Sequence, residues 1–111
     1  MGYLYRQGDQ MWLVKFTVKA EKEIRELIKS HRLSENDRQV IGSWIRLVKM
    51  HGPDVVKNGK DWDDHPLERE WSGFRSSAYS YAGRIVYKVI GDKIIVVVVR
   101  ITPDHDYRKD G

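Results

Sequence analysis

The run Ile94-Ile95-Val96-Val97-Val98-Val99 constrains this chain more than any other feature. All six side chains are β-branched, which favours a strand, and six residues fall far short of the ~20 that cross a bilayer as a helix. The run does not alternate apolar with polar. Such a strand is expected to be covered on both faces and to lie centrally in its sheet. Gly91-Asp92 supplies a tight turn just before it, so Lys93 to Ile101 pairs with a strand over Arg84 to Ile90. A further strand is predicted over Trp71 to Ala78, and these two neighbours alternate more clearly.

Upstream the pattern changes twice. Met11 to Val18 is rich in β-branched and aromatic residues and reads as a first strand. From Lys19 to His31, apolar Ala20, Ile24, Leu27 and Ile28 fall on one helical face. A second helix carries Val40, Ile41, Trp44, Leu47, Val48 and His51, with Ser34 three residues before Asp37 as an N-cap pair and Gly52-Pro53 as its end. Asp54 to Arg69 has no period and reads as a long loop, uncommon in a compact domain unless it has a function. The expected fold is therefore α+β: an N-terminal strand, a two-helix hairpin, then a three-to-four-stranded antiparallel sheet, all in a single domain over residues 1–111. The charged residues from Glu21 to Glu26 form a solvated helix face, and Phe16, Trp44 and Tyr87 are core candidates.

The absence of cysteine excludes disulfides, thiolate zinc sites and cysteine nucleophiles. The first residues, MGYLYRQGDQM, lack the basic-then-apolar layout of a signal peptide, and the expectation is a cytoplasmic chain with no membrane partner. Twenty Lys and Arg against sixteen Asp and Glu give a net charge of +4 and a pI near 9.4. That excess favours a polyanionic partner such as nucleic acid, although a basic charge also serves solubility alone. No metal-ligand spacing and no phosphate-cradling glycine loop is visible, so no cofactor is expected.

Three motifs then occur in order: Asp64-His65-Pro66-Leu67, Trp71-Ser72-Gly73-Phe74-Arg75, and Arg84-Ile85-Val86-Tyr87-Lys88-Val89. With the ending Arg100-Ile101-Thr102-Pro103-Asp104-His105-Asp106-Tyr107, they resemble the RelE/YafQ/YoeB group of bacterial toxins. The resemblance implies a RelE-like fold and metal-independent endoribonuclease activity on mRNA, at the ribosomal A site. It also implies a cognate antitoxin partner. Relatives of the same fold that poison DNA gyrase, and non-catalytic binding modules, are the alternatives, because fold alone does not fix activity.

RNA cleavage without a metal needs a base for the ribose 2′-hydroxyl, cations for the phosphorane and an acid for the leaving 5′-oxygen. The resemblance places His105 as general acid, flanked by Asp104 and Asp106, which favour its charged form. It places Arg84 as the phosphate-stabilising arginine, though a strand-start surface arginine is the plain alternative. His65 would act as base or position the phosphate, or else cap its turn. Arg100 ends an apolar strand and should point into a cleft or meet an acidic partner. Tyr107 would stack on a base or donate to phosphate, or pack on the sheet. Lys57, Lys60 and Arg75 would contact the RNA backbone, unless they are merely solvated. The histidine and aspartate that YafQ-like toxins carry in and after the W-x-G-Y-R strand are Ala78 and Ala82 here.

Overall fold

The computed structural model describes residues 11–101. The first strand, β1, is Leu13–Phe16, and it feeds directly into helix α1, Val18–Lys29. Thr17 makes that switch possible, because its hydroxyl accepts a hydrogen bond from the Ala20 amide at 3.0 Å and caps the new helix. Helix α2, Glu35–His51, starts with the expected pairing. The Ser34 hydroxyl accepts from the Asp37 amide at 3.0 Å, and the Asp37 carboxylate accepts from the Ser34 amide at 3.1 Å. Gly52 ends α2 with φ of 83°, and a β-carbon there would stand 2.7 Å from the Trp12 ring.

The segment after Gly52 is not the plain loop expected. It contains a short helix α3, Asp54–Lys57, a 3₁₀ turn at Lys60–Trp62, a two-residue strand β2, His65–Pro66, and a second 3₁₀ turn at Arg69–Trp71. No piece runs to a second helical or strand repeat, so periodicity could not reveal it. Strands β3, Arg75–Ala78, β4, Gly83–Ile90, and β5, Lys93–Ile101, follow, and β3 begins four residues later than predicted because the 3₁₀ turn takes Trp71.

Among the described residues the sheet has five strands in the order β1-β5-β4-β3-β2. β5 is central, as its apolar run implied. The strands after the helices, β2 to β5, form the expected antiparallel sheet, and β1 makes the whole mixed by running parallel to β5, pairing Leu13 with Lys93 and Phe16 with Val96. A parallel partner needs a long crossover, and the two helices provide it. The remaining ladders are antiparallel, and a register shift between Val86 and Tyr87 leaves Val97 of β5 without an opposite number. β4 does not alternate as expected, since Gly83 to Tyr87 are buried without interruption.

Burial explains both strands. Ala20, Leu27, Ile41, Trp44 and Val48 from the helices pack with Ile85, Tyr87, Ile94, Val96 and Val99 from one sheet face. On the other face Val86 and Val98 are covered by Leu67, Trp71, Phe74 and Val97. The segment between β2 and β3 therefore roofs the back of the sheet, and β4 is enclosed on both sides.

Candidate functional site

The two-residue strand β2 decides what lies next to what. His65 pairs with Ser76 and Pro66 with Arg75, while β3 pairs Ala78 with Arg84 of β4. Arg84 is thus one strand away from β3 and two from His65, within reach of a long side chain.

Arg84 makes that reach while 1% exposed. Its Nε donates to the Ser76 hydroxyl at 2.8 Å. Nη1 donates to the Asp63 carboxylate at 3.0 Å. Nη2 donates to the Asp63 carbonyl at 3.0 Å and meets His65 Nε2 at 2.8 Å, with a longer 3.4 Å contact to the Ser76 carbonyl. A guanidinium has only donors, so His65 Nε2 must be the acceptor and the ring proton sits on Nδ1, which lies 3.3 Å from the Pro66 carbonyl. The surface arginine at a strand start is not what forms. A buried charge held on neutral and anionic oxygens forms instead. Asp63 itself has φ of 45°, a left-handed conformation that aspartate tolerates better than most residues.

Beside this lies a second network, which the sequence reading missed. The Asp64 side chain is 0% exposed. Its Oδ1 accepts from Arg75 Nε at 2.6 Å. Its Oδ2 accepts from the Tyr87 hydroxyl at 2.7 Å and from the Ser77 hydroxyl, and Ser77 in turn accepts from Trp44 Nε1 at 3.0 Å. Burial works against the Arg75 charge, but the hydrogen bond and attraction from Asp64 outweigh it and hold the guanidinium above its ordinary pKa. Burial, then the Asp64 carboxylate, push the Tyr87 phenol well above its ordinary value. Asp63 and Asp64 point into different networks, so each fixes one side of the chain entering β2. The signal in the sequence was Ser76-Ser77, adjacent hydroxyls in a predicted strand, one of which must face inward and so requires a polar partner.

The other candidates are dispersed. Arg100 is registered opposite Arg84 on β5, yet its Nη2 lies 3.5 Å from Glu23 of α1, the acidic partner that its strand position called for. Glu23 also accepts from the Val99 amide at 3.0 Å and so binds β5 beyond the end of β1. Arg75 is committed to Asp64 and 24% exposed. Lys57 lies 3.9 Å from Asp54 within α3. Lys60 is exposed at the start of its 3₁₀ turn. His105 and Tyr107 lie outside the described residues. The structure therefore brings together His65 and Arg84, adds Asp63 and Ser76 to them, and leaves Arg100 bound to α1. Among the described residues no group of three or more His, Asp or Glu is placed to hold a metal ion, and no helix is long and apolar enough to cross a membrane.

No protein-family model matches the chain, and no curated protein matches its sequence. Solved structures do match its fold. A copper-bound mutant toxin from Helicobacter pylori superposes with a TM-score of 0.66 at 19% identity, over 86% of this chain and 100% of that one. The DinJ–YafQ toxin–antitoxin complex of E. coli gives 0.63 at 16% identity, over 79% and 89%. The YoeB–YefM complex from Staphylococcus aureus gives 0.62 at 15%, over 80% and 94%. At such low identity the likeness is one of architecture. The motifs and the fold point the same way: the chain has the architecture of the YafQ- and YoeB-type toxins that its sequence resembles.

Proposed function

We propose that this chain is the toxin of a toxin–antitoxin pair, a cytoplasmic, metal-independent endoribonuclease that cleaves mRNA at the ribosomal A site and is neutralised by a cognate antitoxin. The observation that carries the reading is the Arg84 guanidinium, buried and aimed between β3 and β2 with an exposed imidazole 2.8 Å away. A guanidinium shielded from water interacts strongly with charge that develops on a phosphorane. Arg84 is the electrostatic stabiliser in this reading. The two toxins crystallised with antitoxins support the partner, and the basic balance of the chain supports a polyanionic substrate.

The chemistry follows from the contacts. While His65 Nε2 accepts from Arg84 it has no lone pair to offer a substrate. A phosphate oxygen that takes over the Nη2 donor releases Nε2, which then accepts the proton of the ribose 2′-hydroxyl. Attack by that oxygen on phosphorus forms a 2′,3′-cyclic phosphate as the bond to the 5′-oxygen breaks. His105 gives the leaving oxygen its proton. Arg100, Tyr107, Lys57, Lys60 and Arg75 belong to substrate binding, with Lys60 the most accessible cation among the described ones.

The test is cleavage of a defined mRNA by the purified chain, with and without translating ribosomes. Cleavage that leaves 5′-hydroxyl ends, and that falls at least about a hundredfold in His65→Ala, is expected from the loss of a general base. Intact mRNA in both settings would refute the reading, and inhibited DNA supercoiling with intact RNA would replace it.

A further inference from the structure

A phosphate bound by Arg84 needs an N–H that is not already used. Nε is spent on Ser76, which is fully buried, and Nη2 is divided between the Asp63 carbonyl and His65, so the donor taken over from His65 gives a phosphate one contact only. Nη1 carries two N–H groups and directs one of them at the Asp63 carboxylate. That carboxylate is the one anion among these acceptors, and its side chain is 73% exposed although the arginine it holds is buried. It approaches from the solvent side, the direction from which a substrate must come. Two anions cannot share one guanidinium face without repulsion.

We propose that the Asp63 carboxylate occupies the phosphate seat on Arg84 and that a backbone phosphate of the substrate binds only by displacing it. Asp63 is then a determinant of substrate affinity: it keeps the buried charge neutralised in the empty protein and sets a threshold that a weakly held anion does not pass. A single-stranded RNA, held along its backbone by further cations, passes that threshold more readily than inorganic phosphate. The identity of the ligand rests on the ribonuclease reading above, whereas the displacement itself rests on the Arg84 geometry.

The experiment measures binding of a short single-stranded RNA, 2′-O-methylated so that it cannot be cleaved, to the full chain by fluorescence anisotropy. The variants are Asp63→Asn, Asp63→Gly and Asp61→Asn, with cleavage of the unmodified RNA assayed in parallel. Asp61 is exposed on the adjacent 3₁₀ turn and loses the same charge, so it controls for net charge alone. Glycine accepts the left-handed φ of residue 63 without strain, which keeps one informative variant if asparagine perturbs the turn. Both Asp63 variants are expected to bind about tenfold more tightly, ~1.4 kcal/mol, and Asp61→Asn no more than about twofold. Equal shifts for positions 61 and 63, or no tightening at 63, would overturn the proposal. Wild-type cleavage with no tightening at 63 sinks the displacement and leaves the ribonuclease reading; tightening at 63 with no cleavage by any variant does the reverse.

Discussion

Replacing Asp64 tests how the site is held in place. In Asp64→Ala the Tyr87 and Ser77 hydroxyls lose their common acceptor inside the protein, and Arg75 loses its counter-ion. Hydrogen bonds to a charged group contribute about 1.5–3 kcal/mol each, which for three such bonds overstates the cost. Arg75 is 24% exposed and regains water, so its share is reduced by screening. Breaking a buried pair by removing one member costs about 3–5 kcal/mol, and that is the expected loss here. Asp64→Asn should cost only about 1–2 kcal/mol, because its amide can still accept from Arg75 through oxygen and donate to the two hydroxyls through nitrogen. Urea denaturation followed by far-UV circular dichroism separates the two. With a slope of about 2 kcal/mol per molar, alanine lowers the midpoint by about 2 M and asparagine by less than about 1 M. An alanine midpoint within about 0.3 M of wild type would refute the network's structural role. So would an asparagine variant as unstable as alanine, because the argument depends on polar satisfaction rather than on charge.

Tyr87 gives a pH prediction. Its folded pKa is raised by burial and by Asp64, so its stabilising contribution is complete below the unfolded phenol's value of about 10 and shrinks as pH rises beyond it. Alkaline unfolding should therefore be less steep in Tyr87→Phe than in wild type above pH ~10, and identical pH slopes would contradict the assignment. Gly52→Ala places a β-carbon against the Trp12 ring and forces a positive φ on alanine. A loss of about 2–3 kcal/mol is expected in thermal or urea unfolding.

Much of the architecture could be read from residue pattern because its causes are local. The β-branched run dictated a central strand, Ser34 and Asp37 are close enough in sequence to specify their own cap, and Gly52-Pro53 marks its own break. The parallel pairing of β1 with β5 has no local cause: it depends on where two helices deposit the chain. The same holds at the site. Arg84 and His65 could be nominated from motifs, but their contact exists only because β2, two residues long, pairs with Ser76 and Arg75. Asp63 and Asp64 looked like ordinary loop charges. Adjacent residues that serve different networks cannot be told apart from a solvated acidic pair until the strands around them are placed.

The parallel β1–β5 ladder also has a consequence for how the protein is made. β1 finds its partner only when β5, after the helices and the other strands, has been synthesised. Pairing across such a separation is slow and cannot begin early. Any product that stops before Lys93 lacks the strand that joins β1 to β4. A product that ends between Arg84 and Lys93 contains the arginine, but the sheet that would hold it against β2 has no middle. For a protein whose proposed target is translation, the site that would act on it exists only once β5 is in place.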